Sequence, residues 1–302
     1  SQNRTVLGQL IGASSYDVGH IALGKNGGGV AYLGVVGGAY KCGGCTGLPI
    51  PTGDFFAIDY VAHEIGHQFG GNHTFNGADG NCADNISVAS VEPGSGSSVM
   101  AYAGICGSDD LQPHTDPYFS YLTIDEVEAV QASPYNVIEV QTVSLRDFDT
   151  DGETITLSYE GDTATVTRGV DYTNAGVEAA VESITGRNVS IAQWGFDEVF
   201  NSDDDGNPVV SPINDTGFQV IFNEEPVAFA LGGADDVDLP SLGVAGSGDV
   251  TGFVGETERG GPASTNGIDL PRTEEVADNV APVVTAPEDR TIPVQTPFAL
   301  TA

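Results

Sequence analysis

Basic residues are scarce. Nine Lys and Arg face 43 Asp and Glu, leaving a formal net charge of −34 at pH 7. Such a surface repels nucleic acid and anionic membranes, which excludes both as partners. It suits a secreted chain in salty, calcium-containing water, where repulsion between exposed charges is screened. Long apolar runs are missing as well. No stretch reaches the roughly 18 apolar residues that a membrane span needs. No signal peptide is present at Ser1, which fits a mature or cut chain. Cysteine is limited to four, histidine to five and methionine to one. Hydrophobic residues still make up 40%, enough for real cores, and the length predicts two or three domains.

Three of the five histidines fall in His63-Glu64-Ile65-Gly66-His67-Gln68-Phe69-Gly70-Gly71-Asn72-His73, an H-E-x-x-H-x-x-G-x-x-H pattern. Two histidines four apart sit one above the other on a helix and can grip one metal ion. Glu64, beside the first, stands where a general base for a metal-bound water belongs. Gly70 is the residue type that ends a helix in the left-handed conformation. The chain can then fold back and deliver His73 as a third nitrogen ligand. Three protein ligands leave a fourth position open, the mark of a catalytic rather than a structural zinc. The competing reading is a helix that carries histidines by chance. Helical spacing over 54–69 puts Ile58, Val61, Ala62, Ile65 and Phe69 on one apolar, core-facing side. His63 and His67 then lie nearly opposite, beside Phe56 and Tyr60, and Asp54 is the expected N-cap.

This motif resembles that of the metzincin zinc endopeptidases, whose second signature is a Met-containing turn beneath the metal. Ser98-Val99-Met100-Ala101-Tyr102 supplies one, with the only methionine of the chain. The wider run 92–107, together with 16–20 (YDVGH) and 27–32 (GGGVAY), resembles bacterial reprolysin-like (adamalysin-type) proteases across about residues 14 to 128. Thr74 departs from the Asp that animal adamalysins usually carry after the third histidine. The resemblance implies Zn²⁺ on His63, His67 and His73, Glu64 as general base, and Met100 packed under the ligands without binding the metal. It also implies a protein or peptide substrate held extended along strand 28–36, by Gly29, Val30, Ala31 and Tyr32. Ala103, Gly104 and Ile105 would touch the residue just after the cut. Tyr102 lies two residues after Met100, the spacing at which astacin- and serralysin-like metzincins place a zinc-contacting tyrosine. The resemblance therefore implies an oxyanion role for it, against the alternative of a buried core tyrosine.

The four cysteines are expected to pair in an oxidising compartment. A Cys82–Cys106 bond would fix the floor of the site, since these two bracket the Met-turn segment. Cys42 and Cys45 form a C-x-x-C whose flanks are loop-like, which favours a small disulfide loop over a redox motif or half a zinc site. Two acidic stretches match the first half of a calcium-binding EF-hand loop: Asp147, Asp149 and Asp151 before Gly152, and Asn201, Asp203 and Asp205 before Gly206. Neither has Glu at the twelfth position, where Ser158 and Pro212 stand, so solvated turns between strands are the alternative.

Along the chain, residues 1–12 read as a short helix end, 18–23 and 28–36 as strands, and 37–53 as a Gly/Pro loop. Residues 74–98 read as irregular and 123–132 as a short amphipathic helix. After about residue 136 the texture changes to strand-like runs at 137–145, 154–159, 163–167, 188–192, 217–222, 239–244 and 250–254. One helix, 175–184, interrupts them, with Asn174 as its cap. The expected fold class is α+β. A metzincin-type zincin catalytic domain at 1–135 precedes a β-rich α+β accessory module at 136–261, and a linker at 262–280 follows. Residues 281–302 resemble the start of an immunoglobulin-like or cadherin-like β-sandwich, which needs about 100 residues to complete. Two strands and a helix end upstream of residue 54 are too few to bury the apolar face of the zinc helix. The catalytic domain is thus expected to lack its N-terminal part, with its own cleaved N-terminal segment as a partner.

The expectation is a secreted zinc endopeptidase. A secreted binding or matrix protein on an inactive metzincin fold is the rival, disfavoured by the presence of Glu64. A non-proteolytic zinc hydrolase is the third reading, disfavoured by the extended-substrate strand.

Overall fold

The computed structural model describes residues 2–132, 136–196, 209–222 and 237–262. All lie in one compact unit, Ser1–Thr265, and the division expected near residue 135 falls inside it. The expected sandwich start at 281–302 and the acidic stretch 201–206 lie outside the described residues, as does the expected linker beyond Pro262.

The first half opens with helix α1 (Gln2–Leu10), followed by strands β1 (Ile21–Leu23), β2 (Gly28–Ala31) and β3 (Gly44–Gly47). β3 is the middle strand, parallel to β1 and antiparallel to β2. It falls where the Gly/Pro loop 37–53 was expected. Its sequence, GCTG, has no apolar alternation; the two flanking strands supply the hydrogen-bond partners that make it extended. At Gly44 a Cβ would collide with Gln68 Oε1 and stand 2.6 Å from His20 Nδ1. Glycine there lets the zinc-motif helix lie directly on the sheet.

That helix is one rod in three parts: α2 (Gly53–Phe56), a π-helical stretch (Ala57–Ala62) and α3 (His63–Gln68). Its N-cap is Thr52, without a side-chain cap bond, and Asp54 sits inside the first turn. The wider π turn slips the register that a 3.6-residue wheel assumes. Ile58, Val61, Ala62, Ile65 and Phe69 accordingly remain half-buried, while His63, Glu64, Gly66 and Gln68 are buried. The strand expected over 28–36 ends at Ala31. The amide of Gly34 then donates to His67 O at 2.9 Å, and those of Val35 and Val36 to Gln68 O at 2.8 and 3.0 Å. These bonds satisfy carbonyls that the helix end would leave unpaired.

The chain continues through the two-residue strands β4 (Phe75–Asn76) and β5 (Glu92–Pro93), a parallel pair. Helix α4 (Tyr121–Gln131) follows; its cap Ser120 accepts from the Thr123 amide.

The second half holds β6 (Asn136–Val137), β7 (Glu139–Arg146), β8 (Thr154–Tyr159) and β9 (Asp162–Thr167). Helix α5 (Asn174–Thr185), β10 (Val189–Gln193) and β11 (Gly217–Phe222) come next. β12 (Gly243–Gly246), β13 (Thr251–Glu258) and β14 (Gly261–Pro262) close the described chain. The cap of α5 is Thr173 rather than Asn174: its hydroxyl accepts from Gly176 at 3.1 Å. The order β10-β11-β7-β13 makes one antiparallel sheet and β12-β8-β9 another. Alternate residues from both, including Val143, Leu145, Ile155, Leu157, Phe218 and Val220, bury a core with Val177, Val181 and Ile184 of α5.

On the opposite face of the four-stranded sheet lies α1. Gly8 sits against Thr257, and Gly255 against Gln9, so two glycines bring helix and strand backbones together. The Arg4 guanidinium bonds Glu258 and donates to Phe196 O at 2.8 Å.

Candidate metal centre

The three motif histidines converge. His63 Nε2 and His67 Nε2 lie 3.1 and 2.9 Å from His73 Nε2. Gly70, at φ +107°, makes the return that delivers His73. Each of the first two rings is held from behind: His63 Nδ1 donates to Val99 O and His67 Nδ1 to Gly71 O, both at 2.7 Å. With those protons on Nδ1, the Nε2 lone pairs of both rings point at the third. Burial pushes His63 down to about 3 and His73 to about 4, with neighbouring histidines adding to each shift, and burial also lowers His67. The centre thus presents neutral imidazoles crowded together, which protons cannot relieve.

A cation can. A tetrahedral zinc with Zn–N of about 2.0–2.1 Å spaces its ligand nitrogens about 3.3–3.4 Å apart, within a few tenths of an ångström of the two separations observed. The donor set therefore fits zinc. Among the described residues one other cluster, Glu139, Asp238 and Glu256, brings three ligand-type atoms within 4.8 Å of one another. Its buried member is already engaged: Glu139 accepts from Gln141 Nε2 at 2.9 Å and from the Gly260 amide at 2.7 Å.

Glu64 is buried on the same helix, and desolvation raises its carboxyl to about 7. Gly29 of β2 lies so close that a Cβ would overlap the Glu64 carboxylate. Sheet edge and carboxylate are thereby brought side by side. Val30, next along that edge, is 64% exposed, whereas the Tyr32 amide turns inward to Gly43 O at 2.7 Å. Below the ligands, Met100 is fully buried, and its Sδ occupies the space a Cβ on Gly66 would need. Tyr102 packs its ring 4.4 Å from that of His73, 5.5 Å from that of His63 and 4.5 Å from that of Phe75. Burial, then the Glu64 charge, raise its phenol. Ala103 is buried, Gly104 takes φ +86° and Ile105 is exposed.

Cys82 and Cys106 are joined, with Cα atoms 5.1 Å apart, and Phe75 and Tyr102 pack on the bond. Cys42 and Cys45, expected to close a loop, are instead free. Cys42 is buried and donates to Tyr16 Oη at 3.2 Å, while Cys45 belongs to β3, where side chains alternate between faces. The acidic turn at 147–152 spends its carboxylates elsewhere: Asp147 pairs with Arg146 and Asp151 with Arg168. Asp149 Oδ1 accepts from the Thr150 hydroxyl at 3.0 Å.

Several residues that hold the centre carry no local sequence signal. Val99 O and Gly71 O are backbone groups. Gln68 ties the helix to the sheet by accepting from or donating to His20, Gly19 O and Lys41 O at 2.8–3.1 Å. Glu126 of α4 accepts from the Asn72 amide and side chain, both at 2.8 Å.

Histidines on a helix, a third beyond a glycine turn, and a buried methionine beneath them define a metzincin-type centre. Residues 1–124 match the family model described as metallo-peptidase family M12B, reprolysin-like, which supports a reprolysin-like metzincin in this part of the chain. No curated protein and no solved structure matches the chain.

Proposed function

We propose that the chain is a secreted zinc endopeptidase acting on extended protein or peptide substrates. The observation that carries this reading is the convergence of three neutral imidazoles beside a buried carboxylate and an exposed strand edge. Zinc held by His63, His67 and His73 supplies Lewis acidity, acidifying water and polarising a carbonyl. Glu64 takes the water proton on its carboxylate and later gives it to the leaving amine. β2 offers backbone groups along its free edge, through Gly29, Val30 and Ala31, to a substrate added as a further strand. Tyr102, beside His73, is placed in this reading to steady the developing oxyanion. Ala103, Gly104 and Ile105 line the path of the residue after the cut. Residues 136–261 serve as an accessory module carrying none of the reacting groups. Incubation with unfolded casein tests the reading. The account expects cleavage that a chelator abolishes and zinc restores, while ester substrates alone being turned over would refute it.

A further inference from the structure

Glu92 opens β5, remote in sequence from the zinc helix, and its carboxylate meets four donors. Oε1 accepts from the amides of Ser97 and Ser98, each at 3.1 Å. Oε2 accepts from the hydroxyls of Thr74 and Ser98, which themselves lie 3.2 Å apart. Thr74 and Ser98 are both fully buried. Water cannot replace what Glu92 provides to them.

The two hydroxyls belong to different ligand supports. Thr74 follows His73; its amide donates to Met100 O at 3.1 Å, and its carbonyl accepts from the Glu92 amide at 2.9 Å. Ser98 precedes Val99, whose carbonyl accepts from His63 Nδ1. His67 is independent of both, because its Nδ1 bonds Gly71 O at the end of its own helix. Only a carboxylate offers four acceptor sites and no hydrogen. A carboxamide that kept its oxygen on the two amides would turn an NH2 group toward Thr74 and Ser98, so both hydroxyls would have to reverse from donor to acceptor and lose a charged partner.

We propose that Glu92 is a positioning residue of the metal centre, tying the segment that carries His73 to the turn that orients His63. The inference rests on the zinc reading above. On it, the affinity of the site for metal depends on a carboxylate that touches neither the metal nor substrate.

The test is metal binding by the full chain, read without reference to turnover. Zinc affinity would be measured by competition with a chromophoric chelator, and ligand geometry by the visible absorption of the cobalt-substituted protein. Glu92→Gln is expected to weaken zinc about 10–100-fold, the range typical for groups that orient metal ligands, and to alter the cobalt spectrum. Arg4→Ala, which removes a buried ion pair between α1 and β13, serves as the control for lost stability alone and should leave both readouts unchanged. Should Glu92→Gln not fold, Thr74→Val removes a single hydroxyl of the clamp and is expected to weaken zinc about 10-fold. Wild-type affinity and spectrum in the folded variants would overturn the proposal while leaving the zinc reading intact. Wild-type protein that binds no metal would overturn both.

Discussion

Two glutamates show how burial assigns different work to one residue type. Glu64 borders the three imidazoles, where its carboxyl, raised to about 7, can both take and return a proton. Glu64→Ala should retain zinc and lose about 10²–10⁴-fold in kcat, the usual share of a general base; turnover within tenfold of wild type would show another group to be the base. Glu139 lies in the second half, far from any ligand of this centre in sequence. Burial raises it from 4.5 to about 8. A raised carboxyl favours the folded state fully below the unfolded value and loses that contribution as pH climbs through the folded one. Stability should therefore fall between pH 4.5 and about 8, by a few kcal/mol at about 1.4 kcal/mol per unit. Glu139→Gln should flatten this slope, and denaturant titrations across the range would reveal an unchanged slope if the assignment is wrong. The ligands and Glu64 are legible in the sequence because helix spacing brings His63, Glu64 and His67 together and the glycine at 70 marks the turn that returns His73 to them. Glu92, Val99 and Glu126 are not, since each reaches the site across tens of residues through bonds that no period announces.

At the scale of elements, the alternating run Thr154–Tyr159 and the apolar-rich run Gly217–Phe222, buried at every position, appear in the structure with the bounds expected from the sequence. β3 does not follow from its glycines and is created by its neighbours. The π turn likewise defeats a wheel drawn at a constant period. Nor does any periodicity indicate that α1 docks on β13, an attachment set by two glycines and by Arg4. Arg4 and Glu258 are each 9% exposed at the side chain, so Arg4→Ala takes an ion-pair partner from a buried carboxylate. It should cost about 3–5 kcal/mol, read as a lower midpoint in denaturant; a loss below 1 kcal/mol would mean that α1 contributes little to stability. The Cys82–Cys106 bond closes a loop of sequence separation 24. Replacing both by Ser should cost about 3 kcal/mol and loosen the Phe75–Tyr102 packing that backs His73. An unchanged unfolding midpoint would count against that role.

For the whole molecule, a chain of net charge −34 sets two of its nine cations in ion pairs between elements, Arg4 with Glu258 and Arg168 with Asp151 and Asp215. The central claim is that one zinc, held by His63, His67 and His73, turns this fold into a peptidase. Titrating the metal-free chain with zinc, while following bound metal and hydrolysis of an unfolded protein together, tests it most directly. The account predicts that both rise in parallel and break at one equivalent. One equivalent bound without hydrolysis, or hydrolysis that is complete before zinc is added, would contradict it.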